Sequence, residues 1–98
     1  MHFVIQYRDQ PATQELRKEH HPAHVEFRKN LGNAVLLSGP LLADDSDKPV
    51  GSLLILEAAD LSEAKQTAAA DPFVTLGVLA VASVTPFRMM AINPPAKT

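Results

Sequence analysis

The first half of the chain contains two stretches whose hydrophobic positions repeat with different periods. Residues His2 to Tyr7 are rich in β-branched and aromatic side chains and lead into the polar run Arg8 to Pro11, which predicts a strand followed by a turn. From Ala12 to Leu31 the spacing changes to three and four residues, which predicts a helix. The stripe of this helix consists of Leu16, His20, Ala23, Phe27 and Leu31.

Pro22 interrupts the helical pattern. A proline inside a helix removes one hydrogen bond and clashes with the preceding turn, at a cost of ~3 kcal/mol, whereas the first helical position tolerates it. We therefore predict a short helical piece before His20 and a main helix that starts near Pro22, with His24 in its first turn. Gly32 or Asn33 ends this helix, because either residue can adopt the left-handed conformation of a C-terminal cap.

The middle of the chain predicts a hairpin of two strands. Ala34 to Leu42 forms the first strand, which Ser38-Gly39-Pro40 interrupts. The acidic turn from Asp44 to Pro49 then leads into Val50 to Glu57, whose apolar and β-branched content predicts a buried central strand.

A second helix and a last strand complete the pattern. Asp60 or Ser62 can cap this helix, which is predicted to end near Ala70 because Asp71 precedes a proline. After a short turn from Phe73 to Gly77, the last strand is predicted from Val78 to Met90.

The order strand, helix, strand, strand, helix, strand predicts an α+β fold of the ferredoxin-like βαββαβ type. Two right-handed crossovers then place both helices on one face of a four-stranded antiparallel sheet. The second and fourth strands form the edges of such a sheet. Pro40 and Pro86 fall in those two strands, which agrees with the confinement of proline to sheet edges, bulges and strand starts.

Composition limits the organisation and the partners of the chain. With 98 residues there is room for one domain, which we place at residues 1–90, followed by a Pro-containing tail at residues 91–98. A core this small predicts a homodimer. Nine basic and eleven acidic side chains are scattered along the chain, so we expect no nucleic-acid partner. No apolar run approaches the ~20 residues of a membrane helix, and Cys is absent, so we expect no membrane contact and a cytoplasmic location.

Histidine is the side chain most often used in acid–base chemistry, and the chain has four. His20 and His24 have the spacing of two zinc ligands on a helix, but no third ligand accompanies them, the Glu of the zinc-protease pattern is absent, and Pro22 lies between them. We therefore expect no metal and no other cofactor. His21 is interpreted as a helix-start residue that contributes polar lining to a cleft.

His24 has a second interpretation once the fold is considered. Antiparallel neighbouring helices bring the start of the first helix beside the end of the second, where Asp71 lies. A carboxylate there can bond one ring nitrogen of His24 and leave the other for a substrate. The alternative is a half-buried His satisfied by a carboxylate that also stops a helix. Ser38 and Arg17 are candidates for substrate contacts, although Ser38 also suits a turn, and Arg17 a solvated helix face.

Several short motifs occur together in an order that resembles the YciI-like (YCII-related) proteins. The motifs are His21-Pro-Ala-His24, Leu37-Ser-Gly-Pro-Leu41, Gly51-Ser-Leu-Leu-Ile55, Ala69-Ala-Asp-Pro-Phe73 with Gly77, and Val84-Thr-Pro-Phe87. The resemblance covers about residues 1–90 and implies a dimeric ferredoxin-like fold with a His–Asp pair that matches His24 and Asp71. Chemistry near this family includes dehydrochlorination of a chlorinated hydroxyhydroquinone, and muconolactone isomerases are fold relatives.

Two features depart from the resemblance. Close members often carry Arg where this chain has His21, and the hairpin between Pro40 and Val50 is short. Two functions therefore stay open at this point. One is a cofactor-independent lyase or isomerase in which His24, oriented by Asp71, moves a proton on a small cyclic or phenolic molecule. The other is a non-catalytic module that binds a small molecule or serves as a dimeric scaffold.

Overall fold

Residues 1–93 fold into a four-stranded antiparallel sheet with three helices. The structure is a computed structural model that describes residues 1–93. In chain order the elements are β1 (His2–Asp9), α1 (Gln14–Leu31), a 3-10 turn (Gly32–Ala34), β2 (Val35–Leu42), β3 (Pro49–Glu57), α2 (Leu61–Ala69), α3 (Pro72–Thr75) and β4 (Leu79–Phe87).

The strand order is β2-β3-β1-β4, and every neighbouring pair is antiparallel. This α+β arrangement is consistent with a ferredoxin-like fold, and it confirms that β2 and β4 form the two edges and that β3 is internal. Pro40 and Pro86 therefore both lie on edge strands. A proline lacks the backbone N–H of a sheet hydrogen bond, and an edge strand tolerates this because one of its sides has no neighbouring strand.

The core lies between the sheet and the helices. Phe3, Ile5 and Tyr7 alternate along β1, so they point to one face of the sheet, where all three are buried. Ala64 and Ala68 are the buried residues of α2, and their small side chains let this helix approach the sheet closely. The other core members are Leu54, Leu56, Ala58, Phe73, Val78 and Leu79.

Tyr7 shows that α1 and α2 lie on the same face. Its hydroxyl donates to the carbonyl oxygen of Ala68 in α2 at 3.3 Å, and the guanidinium carbon of Arg28 in α1 lies 5.0 Å from its ring centroid. Both helices therefore cover the face of the sheet that carries the core, as the sequence predicted.

The predicted interruption of the first helix is wrong, because α1 runs through Pro22 without a break. Proline at this position deprives the carbonyl of Lys18 of its amide partner. Both residues are exposed, so water can hydrate that carbonyl, which lowers the cost of the lost bond. His24 consequently lies in the middle of α1 rather than in its first turn.

The last strand ends at Phe87, three residues before the predicted end at Met90. Phe87 pairs with His2, the first residue of β1, so the residues beyond it have almost no strand left to pair with. Ala91 to Asn93 carry no regular structure, and the rest of the predicted tail lies outside the described residues. No helix within residues 1–93 is both long and apolar enough to cross a membrane.

Gly51 is required where β3 passes β1. A Cβ at this position would clash with the backbone carbonyl oxygen of Tyr7, which cannot move without disturbing the sheet. We expect Gly51→Ala to lower the free energy of unfolding by about 1–3 kcal/mol, the usual cost of overpacking. Urea denaturation measures this change. Gly39→Ala in β2 is the matched control, since a Cβ there meets nothing within 4 Å, and an equal loss in both variants would contradict the clash.

Candidate functional site

One side of α1 is polar where it faces the rest of the domain. Arg17, His21, His24 and Arg28 are spaced four, three and four residues apart, which places them on a single stripe of the helix. This stripe runs beside the apolar stripe that the sequence predicts. Arg28 and His24 are its most buried members, with 17 % of each side chain exposed.

Asp71 lies opposite this stripe, at the residue that caps α3. Pro72 occupies the first position of α3, where a proline is well tolerated, and Asp71 Oδ1 accepts a hydrogen bond from the backbone N–H of Phe73 at 2.9 Å. Asp71 is fully buried and is the one buried charged residue in the described part of the chain. A buried carboxylate requires several donors to remain charged.

Two side chains of α1 supply those donors. Nδ1 of His24 lies 2.8 Å from Oδ1 of Asp71, and Nε of Arg28 donates to Oδ2 at 2.9 Å. The contact between His24 and Asp71 agrees with the sequence-based expectation, but its geometric basis differs. Asp71 meets the middle of α1 through α3, and not through an end-to-end contact of the two main helices.

These contacts decide the protonation state of Asp71. Burial opposes ionisation, but the hydrogen bonds from His24 and from the Phe73 amide, together with the charge of His24 and the Arg28 hydrogen bond, hold the pKa of Asp71 below its usual value. An ionised carboxylate can only accept, so Nδ1 of His24 must carry the donated proton. In the neutral imidazole, Nε2 is then the basic nitrogen.

Phe73 orients the imidazole from a second direction. Its ring stacks on that of His24 with the centroids 4.1 Å apart and the planes within 4° of parallel. Phe73 is buried in the core, and its ring also forms a wall of the site. The carboxylate of Asp71 and the face of Phe73 together leave His24 little freedom to rotate.

A cavity of about 300 Å³ lies between this stripe and the β2–β3 hairpin. Both Ser38 and Arg17 line it together with His24, so the structure brings three of the predicted site residues to one cavity. The guanidinium of Arg17 pairs with Asp9 at 3.1 Å and lies over the ring of Phe73. The full lining is Asp9, Arg17, His24, Arg28, Ser38, Gly39, Pro40, Pro49, Gly51, Ser52, Phe73 and Leu79.

Two residues that line the cavity, Arg28 and Ser52, were not among the site residues predicted from the sequence. Arg28 follows His24 by four residues, so helical spacing alone places both on one face and could have joined them. Ser52 is paired with Pro40 across the hairpin, and its hydroxyl points into the same side of the sheet as Ser38. The position of Ser52, by contrast, cannot be inferred without the register of β2 against β3.

The other histidines lie outside the cavity lining. His21 is exposed, with its ring centroid 6.4 Å from that of His24, so its contact with a substrate stays a prediction. His20 lies near Glu19 instead of Asp71. Within residues 1–93, no three side chains of His, Cys, Asp or Glu gather into a group that could hold a metal ion.

Tyr7 lies beneath the site and keeps its proton at neutral pH. Burial raises the pKa of Tyr7 to about 12, against the opposing effect of the Arg28 charge. Its hydroxyl is therefore protonated and donates to the backbone of α2.

Comparison with known proteins places this chain in a family. A profile of the YCII-related domain matches residues 1–88. The chain belongs to the YCII-related family. An uncharacterised protein of Haemophilus influenzae is 37% identical over 95 residues, covering 90% of this chain and 97% of that protein. The protein YciI of Escherichia coli is 36% identical with the same coverage.

A solved structure extends the comparison of this YCII-related protein to three dimensions. It is the 5-chloro-2-hydroxyhydroquinone dehydrochlorinase of Burkholderia phenoliruptrix in complex with 2,5-dihydroxybenzoquinone. The two chains share 27% sequence identity and a TM-score of 0.78, with 90% of this chain and 94% of that chain covered. The family match and the similar solved structure therefore indicate the same fold. The protein in that solved structure is an enzyme with a small ring molecule bound.

Proposed function

We propose that this YCII-related protein is a cofactor-independent lyase or isomerase that acts on a small hydroxylated ring. The observation that carries the proposal is the pairing of His24 with a fully buried, ionised Asp71 at the wall of a cavity. This pairing fixes the proton on Nδ1 and makes Nε2 a base, which is the arrangement that general base catalysis requires. A cavity of about 300 Å³ accommodates a single substituted ring.

The proposed step needs only a base and a leaving group. Nε2 of His24 removes a proton from a hydroxyl or ring carbon of the substrate, and the electron pair released forms a new double bond. In a lyase, the ring first gains a proton at its halogen-bearing carbon as one hydroxyl becomes a carbonyl. Removal of a second hydroxyl proton then expels the halide, so the overall change is loss of a hydrogen halide. In an isomerase, the proton returns to a different carbon. Neither reaction requires an oxidant or reductant.

The remaining polar groups of the cavity suit the oxygen substituents of such a substrate. Ser38 and Arg17 are proposed to bind these oxygens, with His21 as a further contact at the rim. The name and the bound molecule of the structural neighbour support a chlorinated hydroxyhydroquinone as the first substrate to test.

Chloride release tests the proposed function. Purified protein is incubated without oxygen with a chlorinated hydroxyhydroquinone and, in parallel, with the unchlorinated ring, and chloride and ring products are followed. We expect one chloride per substrate consumed and catalytic turnover. If the ring binds, as seen by NMR line broadening, but neither chloride nor an isomer appears, the protein is a binding module and the proposal is wrong.

We also propose that the protein is a homodimer, located in the cytoplasm, whose sheets face each other. The strand register places Leu37, Ile55 and Val4 side by side on the face away from the helices. Leu37 is 45% exposed on this face, whereas Ile55 beside it is 8% exposed, so Leu37 is the apolar side chain of this row that is most open to a partner. A second copy of the sheet would cover this row.

Leu37→Glu is expected to convert the dimer to a monomer, because two carboxylates would be buried at the interface. Light scattering at micromolar concentration measures the mass. Val25→Glu is the matched control, since Val25 is also 45% exposed but lies on α1. A wild-type protein that is monomeric, or a dimer that Leu37→Glu leaves intact, contradicts the proposed interface.

A further inference from the structure

Arg28 is held in an unusual environment for a cation. Only 17% of its side chain is exposed, its Nε donates to Asp71, and its guanidinium carbon lies over the ring of Tyr7. Its Nη2 is completely buried and has no acceptor within residues 1–93. A buried donor without a partner lowers stability, so packing alone does not account for an arginine here.

The position of Arg28 on α1 matches that of His24. The two residues are four apart on one helix face, and they bind opposite oxygens of the same carboxylate. The helix therefore holds both carboxylate oxygens of Asp71 by hydrogen bonds. Rotation of the carboxylate would break at least one of these bonds, so Arg28 fixes the oxygen that faces His24.

Charge balance gives Arg28 a second effect. An ionised buried carboxylate requires a counter-charge. Arg28 is permanently charged and provides it, so the imidazole does not have to be protonated to neutralise Asp71. We propose that Arg28 is a positioning residue that neutralises and orients Asp71, so that His24 can be neutral with a basic Nε2. This inference rests on the proposed function for its role in turnover.

The other ionisable groups around the pair do not replace Arg28. Tyr7 beneath the guanidinium is neutral, and Asp9 of β1 is paired with Arg17 of α1. His21 on α1 is exposed and lies beside the imidazole. The residues that β2 and β3 contribute to the cavity wall are uncharged, so Arg28 is the one cation bonded to Asp71 when His24 is neutral.

Titration of the His24 ring by NMR tests the charge effect without any substrate. Arg28→Gln keeps an N–H that can reach Asp71 but removes the charge. We expect the midpoint of the His24 titration to rise by about one pH unit, because the imidazolium becomes the only counter-charge. Arg28→Lys retains the charge and should restore most of the wild-type midpoint. Lys29→Gln, an exposed charge on the next residue, is the matched control and should leave the midpoint unchanged.

An unchanged midpoint in a folded Arg28→Gln protein overturns the proposal and leaves Arg28 with a purely structural role. If Arg28→Gln does not fold, the wild-type protein decides. The nitrogen chemical shifts of neutral His24 must then report a proton on Nδ1, and a proton on Nε2 would overturn the proposal.

Turnover gives a separate readout that distinguishes this inference from the proposed function. If the wild-type protein turns over a ring substrate, Arg28→Gln should move the acidic limb of the kcat/KM profile to higher pH by the same interval as the NMR midpoint. A limb that stays in place while the midpoint moves contradicts the positioning role in catalysis. If no ring substrate is turned over, the proposed function fails, and the NMR titration still decides the role of Arg28.

Discussion

His24→Asn is expected to lower turnover of a hydroxylated ring substrate by about 10²- to 10⁴-fold, the usual contribution of a general base. The amide of Asn can still donate to Asp71 and fills much of the space of the imidazole, but it cannot accept a proton at neutral pH. The melting temperature should therefore change little. Steady-state kinetics and a thermal melt on the same preparation measure both quantities.

The matched control for this variant is His20→Asn. His20 lies one helical turn earlier on α1 and is also partly buried, but it has no contact with Asp71 and does not line the cavity. Its replacement should leave turnover within about twofold of the wild type, as is usual for substitutions outside the special contacts of a protein. Equal activity losses in the two variants would show that the helix, and not the base, is responsible.

Asp71→Ala is expected to produce the largest loss of stability, about 3–5 kcal/mol, as is typical when one partner of a buried ion pair is removed. The change leaves the Arg28 guanidinium without its carboxylate, the Phe73 amide without its cap and the His24 ring without its acceptor. Against a total stability of about 5–15 kcal/mol for a small domain, this loss is large. Urea denaturation at neutral pH provides the measurement.

Asp60→Ala separates the effect of a lost helix cap from that of a lost buried charge. Asp60 caps α2 by accepting from the Glu63 amide at 2.8 Å, but it is exposed and binds no cation in the described residues. We expect this control to lose only about 1 kcal/mol. A similar loss in both variants would mean that Asp71 acts only as a cap.

The pH dependence of the Asp71→Ala effect has a defined sign. The pKa of Asp71 is lower in the folded protein than in the unfolded chain, so the ionised group stabilises the fold at every pH above the unfolded value of about 3.9. That contribution is lost as the pH falls through the folded value. The difference between wild type and Asp71→Ala should therefore stay constant from neutral pH to about 4 and shrink below it. A difference that shrinks already between pH 7 and 5 would contradict an ionised Asp71.

The fold was largely predictable because each local signal agreed with the others. The order of strands and helices predicted the sheet topology, and the edge positions of Pro40 and Pro86 agreed with it. Asp60 or Ser62 was predicted to cap α2, and Asp60 is the cap. Pro22 was misinterpreted because its cost in a helix depends on whether water can reach the carbonyl that it frees. Exposure of that carbonyl depends on tertiary packing, which local sequence does not encode.

The sequence predicted the His24–Asp71 pair of the candidate site but not the residues around the pair. The antiparallel-helix argument and the family resemblance both paired His24 with Asp71, although the contact runs through α3 to the middle of α1. Arg28 was missed as a partner because an arginine on a helix is usually solvated, and only the burial of Asp71 shows where its charge is needed. Ser52 depends on the register of two strands across a hairpin, which no periodicity along one strand reveals.

Oδ1 of Asp71 accepts two hydrogen bonds, one from the Phe73 amide and one from His24. This shared role affects how selection experiments on this protein should be interpreted. In a library of random variants selected only for soluble expression, we expect Asp71 to be retained because the fold needs it. Selection for catalysis is not required for this retention. His24 forms only one of the bonds to that carboxylate and is partly exposed, so expression alone should tolerate several residues there. Enrichment of His at position 24 upon selection for turnover, relative to selection for expression, would therefore identify the catalytic requirement separately from the structural one.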